Sequence, residues 1–123
     1  MADMKKIRLN LARNHDYPNG SAAHGYEFVA PLDEQGHIDA SLWKINRDQC
    51  RVHRFWQGES DEYGHLIHRP GGSWAFTYDI DGDDDDEAGY RFGLHAFKPG
   101  EYVSIKDEDG DLYTFTVVTV EQL

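Results

Sequence analysis

Long apolar runs are missing from this 123-residue chain. No stretch approaches the ~18 apolar residues that a membrane-crossing helix needs. The opening Met1 to Lys6 has no apolar segment behind its lysines of the kind a secretory leader carries. Cysteine is nearly absent as well, because Cys50 stands alone. No internal disulfide can form, which fits a reducing compartment. Basic residues are scarce, with 12 Lys/Arg against 23 Asp/Glu and a net charge of −11. Phosphate backbones repel a molecule of that sign except at a well-separated patch, so direct nucleic-acid binding is disfavoured. These deficits point to a soluble, cytoplasmic protein with no membrane association.

What is present suffices for one domain over residues 1–123. A chain of this length buries roughly two-thirds of its unfolded surface, and 39% hydrophobic with 13% aromatic residues supply a core. The charge is divided unevenly. Residues 1–56 carry eight Lys/Arg and seven Asp/Glu, whereas residues 57–123 carry four and sixteen. A second half so acidic imposes a single-signed field on whatever surface it forms.

Turn signals recur every eight to twelve residues, the punctuation of an antiparallel β domain. Ile7, Leu9 and Leu11 alternate with polar residues, and Tyr26 to Ala30 reads as the next strand after the turn chemistry of Asp16 to Gly20. Asp39 is placed to N-cap a helix over about 40–49, with Ile38 and Trp43 as a hydrophobic staple and Leu42 and Ile45 on its buried face. The period then changes to two through Cys50, Val52, Arg54 and Trp56. Tyr63 to His68 and Trp74 to Tyr78 should form a hairpin across Arg69-Pro70-Gly71-Gly72. An acidic loop over 79–89 leads to a strand from Tyr90 to Leu94, and Tyr102 to Ile105 pairs with Leu112 to Val120 across Asp109-Gly110. The sum is mainly β: a small antiparallel barrel or two-layer sandwich of about eight strands with one short helix, since open edges on so many strands invite aggregation. A half-open sheet with the helix across one face is the alternative.

Four sets of side chains are candidates for function. Like charges as dense as those of Asp79, Asp81, Asp83, Asp84, Asp85, Asp86 and Glu87, helped by Asp107 to Asp111, repel one another, so the run extends into solvent as a loop tip or meets a basic protein partner, with a hard cation as a further alternative. It does not fit an EF-hand, because Asp84 stands where glycine is needed and Tyr90 where a bidentate Glu is needed. Lys44, Arg47, Arg51 and Arg54 lie beside Trp43, Phe55 and Trp56, the composition of an interface hot spot or simply of a solvated helix face. Glu62, His65, His68 and His95 could hold a divalent cation only by converging across strands, because positions 65 and 68 of a strand point to opposite faces. Cys50, His53 and Asp48 contain the residue types of a thiol nucleophile set, but at a helix-to-strand junction they are not expected to meet. No HExxH, GxSxG or phosphate-loop motif occurs.

Gly58 to Glu62, Gly89-Tyr-Arg-Phe-Gly93 and Phe97 to Ile105 together resemble a group of small bacterial proteins of unknown function that span nearly the whole chain. The resemblance implies no activity. Pro99 to Val103 alone is also similar to the opening of a strand in many barrel domains, flavin-binding ones included, although no basic residue beside an aromatic completes a flavin site here. Three readings follow: a non-catalytic binding module with an acidic face, a metal-dependent enzyme built on the His/carboxylate set, and a barrel whose interior, lined by Trp74, Phe76, Tyr90 and Phe92, holds a small ligand. The first is preferred.

Overall fold

The computed structural model describes residues 3–13, 17–68, 74–78, 87–90, 96–106 and 111–123, with the backbone alone for residues 78 and 87–90. The described residues form eight strands: β1 (Asp3–Leu11), β2 (Ser21–Leu32), β3 (Arg51–Trp56), β4 (Glu62–His68), β5 (Trp74–Tyr78), β6 (Glu87–Tyr90), β7 (Tyr102–Lys106) and β8 (Leu112–Gln122). Each pairs antiparallel with its neighbours in sequence, and β1 pairs with β8 to close the barrel. Closure leaves no unpaired edge. The other predicted strands are present, and β6 occupies Glu87–Tyr90, which the sequence pattern assigns to the end of the acidic loop and the first residue of a strand; residues 91–94 of the predicted Tyr90 to Leu94 strand lie outside the described residues. Ladder bonds on both sides, Phe76 opposite Glu87 and Ala88 opposite Lys106, override the poor strand propensity of Glu-Ala-Gly.

Period-two alternation sets which residues point inward. Ile7, Leu9, Tyr26, Phe28, Ala30, Val52, Leu66, Phe76, Val103, Ile105, Phe115 and Val117 are all buried. Rings from opposite walls touch inside: Tyr26 and Phe28 on β2 each lie 5.2 Å, centroid to centroid, from Phe76 on β5. Side chains therefore fill the barrel at this level. Gly25 is required where β2 bulges against β1, because a Cβ there would run into the Leu9 carbonyl.

The β2–β3 connection closes one end. Asp33 accepts backbone N–H bonds from His37 and Gln35, both at 2.9 Å, and these hold its carboxyl below the usual range, His37 contributing most. Gly36, at φ 87°, turns the chain so that its carbonyl receives the Phe97 N–H at 2.8 Å. Asp39 caps α1 (Ala40–Ile45) by accepting from the Leu42 N–H at 3.0 Å.

The helix is shorter than the sequence pattern predicts. The backbone N–H and the side-chain amide of Asn46 both donate to the Leu42 carbonyl, which ends the α-helix, and a 3-10 turn follows over Arg47–Gln49. Only Trp43 of the helix is buried. Leu42 is half-buried and Ile45 is 77% exposed, contrary to the expectation that both face the core, because one and a half turns meet the barrel through a single side chain.

Candidate functional site: the acidic end of the barrel

In an up-and-down barrel the strand connections alternate between two ends. Leu11, Ser21, Trp56, Glu62, Tyr78, Glu87, Lys106 and Leu112 are the strand termini at one of them. The segments joining strands there, residues 12–20, 57–61, 79–86 and 107–111, contain thirteen Asp/Glu and one Lys/Arg. The segments joining strands at the other end, residues 33–50, 69–73 and 91–101, contain five of each. The two sets of connections thus differ in charge when counted along the sequence; of the thirteen acidic residues Glu59, Asp61 and Asp111 are described, and Asp16 lies outside the described residues. Asp79, Asp81, Asp83, Asp84, Asp85 and Asp86 themselves lie outside the described residues, as do Asp107, Glu108 and Asp109; Glu87 opens β6.

Among the described residues Arg54 and His24 are polar side chains that face inward at this end, with Glu62 beside Arg54. Arg54 follows Val52 on the inner face of β3, opposite Tyr26 and Glu62, with its side chain 13% exposed. Its Nη1 lies 3.2 Å from Glu59 Oε1 and 3.8 Å from Glu62 Oε2, and the guanidinium stands 4.7 Å from the Trp56 ring centroid. Carboxylates and an aromatic face together offset the cost of withdrawing a cation from water. The turn that supplies Glu59 is fixed by the Glu59 N–H to Trp56 carbonyl bond and by Gly58 at φ 88°.

The second is His24, opposite Trp56 on β2 and 2% exposed. Its Nδ1 is 2.7 Å from Ser21 Oγ and its Nε2 is 3.2 Å from Tyr17 Oη, while its ring meets Trp56 edge-on at 4.6 Å. A neutral imidazole donates from one nitrogen and accepts at the other, and a hydroxyl satisfies either role. Burial, and secondarily the charge of Arg54, lower the His24 pKa against an opposing effect of Glu59. Sequence reasoning passed over His24. Its signal was the two-residue spacing from Tyr26 and Phe28, which places it on the inner face.

The predicted basic cluster is dispersed rather than gathered. Arg47 stacks on Trp43 with 5.6 Å to the centroid, Lys44 is exposed, Arg51 lies on the outer face 3.3 Å from His65 Nε2, and Arg54 with Trp56 is inside. The metal set is spread as well. His65 is on the outside of β4, Glu62 is inside at the acidic end, and His68 is inside at the opposite end, stacked on Trp74 at 4.1 Å. His95 lies outside the described residues. Among the described residues no group of three or more His, Cys, Asp or Glu is placed to hold a metal ion.

Cys50, which closes the 3-10 turn ahead of β3, is fully buried and its thiol is pushed up to about 11 by burial, while His53 points outward from β3. Those two do not form a nucleophile pair. Of the proposed interior lining, Trp74 and Phe76 are buried in the core, whereas the Tyr90 side chain and Phe92 lie outside the described residues. Comparison of the chain with family models, with curated proteins and with solved structures gives no match. No helix among the described residues is long and apolar enough to cross a membrane.

Proposed function

We propose that the chain is a non-catalytic binding module that docks a basic protein through the acidic end of its barrel. The observation that carries this reading is the sorting of charge by barrel end: thirteen acidic residues against one basic in the connections of one end, five against five at the other. Such a field steers a basic partner into place and raises its association rate, with an effect that weakens as salt rises.

The test is capture of a partner on immobilised protein across a salt series, with a variant carrying Asp83→Asn, Asp84→Asn, Asp85→Asn and Asp86→Asn in parallel. Retention that falls steeply between about 0.05 and 0.5 M salt, and falls again in the variant, supports the proposal. Retention indifferent to both removes it.

A further inference from the structure

A closed barrel offers no unpaired strand edge, so a second chain meets it only through side chains. In a sequence that is 28% charged, the outer wall of β7 and β8 is nearly free of charge. Register places Tyr102 opposite Thr116, Ser104 opposite Thr114 and Lys106 opposite Leu112. All six point outward, because Val103, Ile105, Phe115 and Val117 between them are buried. Val118 is the extra residue where β8 bulges against β1, between Val117 opposite Leu9 and Thr119 opposite Arg8. Three of the six large apolar side chains that stand exposed among the described residues lie on this wall: Tyr102 at 60%, Leu112 at 53% and Val118 at 39%.

The neighbouring charges are turned away or set at the ends. Arg8 on the adjoining β1 bonds Asn10 and the Ala22 carbonyl, pairs with Glu27 and covers Phe55, all on the side away from β8 or on its own strand. Lys106 stands at one end of the strip and Glu121 at the other. Counted in outward ladder positions from Thr116, Lys106 beside Leu112 is two steps in one direction, and Glu121, beyond Thr119, is two steps in the other. Both are exposed. Neither makes an ion pair among the described residues, although Glu121 faces Lys6 across the ladder.

We infer that this wall is the interface of a two-fold homodimer in which β8 of one copy lies over β8 of the other in the reverse direction. An axis running across the strands at the level of Thr116 brings Tyr102 onto its own counterpart and sets Lys106 of each copy within reach of Glu121 of the other. Opposite charges equally far from a common centre make a face complementary to itself, which is the argument for a second copy of this chain over an unrelated partner. The same axis sends the two acidic ends to opposite extremes of the dimer, whereas a parallel arrangement would press them together. From Leu112 to Glu121 is about 30 Å of strand, and β7, β8 and β1 span about 14 Å, so two such faces cover roughly 850 Å² in projection, the range of weak and reversible association.

Sedimentation equilibrium tests the inference. The mass should rise from 14.1 kDa toward twice that value as the concentration increases from about 1 to about 500 µM. Raising salt from about 0.05 to about 0.5 M should tighten the dimer, because it screens the repulsion between two chains of charge −11. Docking through the acidic end responds to salt in the opposite direction, which separates the two. Tyr102→Lys puts two cations on the axis and should weaken association at least about tenfold, even though it lowers the net negative charge. Thr114→Lys, at an exposed position, is the second probe if Tyr102→Lys does not fold. Lys106→Glu and Glu121→Lys should each weaken the dimer about threefold, and the two together should restore it. A monomer at every concentration, a dimer that both lysine variants leave intact, or a double reversal no tighter than the single ones, overturns the inference.

Discussion

The indole Nε1 of Trp43 donates to the backbone carbonyl of Leu66 at 2.9 Å, tying the only α-helix among the described residues to the wall of the barrel. The same ring meets Trp74 at 5.4 Å and His68 at 5.8 Å, both edge-on, so one side chain anchors the helix by packing and by a buried hydrogen bond. Trp43→Phe keeps an aromatic ring and removes the donor. A urea titration should show a loss of about 1–3 kcal/mol, the cost of leaving a buried carbonyl without its partner. Ile45→Ala, at an exposed position on the same helix, should change stability by less than about 0.5 kcal/mol.

Gly25 tests the close approach of β1 and β2. Because a Cβ at this position collides with the Leu9 carbonyl, Gly25→Ala forces backbone rather than a flexible side chain to move. We expect a destabilisation of at least about 3 kcal/mol, read as a lower urea midpoint with the barrel's circular-dichroism signature retained at low denaturant. Gly58→Ala provides a contrast. Its Cβ would meet nothing within 4 Å, and its cost is confined to the positive φ, about 1 kcal/mol.

His24 makes stability depend on pH in a defined direction. Its folded pKa lies below the ordinary imidazole value of 6.5, chiefly through burial. Below pH 6.5 the unfolded chain therefore takes up the proton more readily than the folded one. Stability is fully present above that pH and falls as the pH drops toward the lowered folded value. A melting-temperature series from pH 7.5 to pH 5 should decline more steeply for the wild type than for His24→Gln, which has no proton to gain. Equal slopes would mean that the imidazole is reached by solvent.

Cys50 should be chemically silent. A thiol pushed up to about 11 and fully buried has roughly one thiolate in a thousand at pH 8, and that one is shielded. A thiol-reactive chromogen should label nothing in the folded protein over minutes and label fully in denaturant. Rapid labelling of the native state would revive Cys50 as a nucleophile.

Most of the fold was legible because burial has a period of two. Ile7, Leu9 and Leu11 alternate cleanly with half-buried Arg8 and Asn10, and so announce their strand and the inner face. Closure was less legible, since the pairing of β1 with β8 joins Leu9 to Val117 across nearly the whole chain and leaves no local mark. The helix was overextended because Asn46 fits a helical pattern by composition, whereas its side chain bonds the Leu42 carbonyl and stops it. Site residues suffered from the opposite problem. Arg51 and Arg54 look like one basic cluster, yet three residues along a strand reverses the face, sending one outward to His65 and the other inward to Glu62. The outer-wall pairs of Tyr102 with Thr116 and Lys106 with Leu112 depend wholly on register between strands, which periodicity alone does not fix.

Sorting charge by barrel end predicts a salt response that needs no partner. Thirteen acidic residues against one basic in the connections of one end repel one another, whereas the other end is balanced. Added salt screens that repulsion, so raising sodium chloride from about 20 to about 500 mM should stabilise the protein by about 1 kcal/mol, a few degrees in melting temperature. Removing two carboxylates separates the ends. Asp84→Asn with Asp85→Asn should raise the low-salt melting temperature and shrink the salt effect. Asp48→Asn with Glu101→Gln, at the balanced end, should leave both nearly as they are. An identical response from the two pairs would mean that only net charge matters and that its distribution between ends does not, which would also remove the basis for docking through one of them.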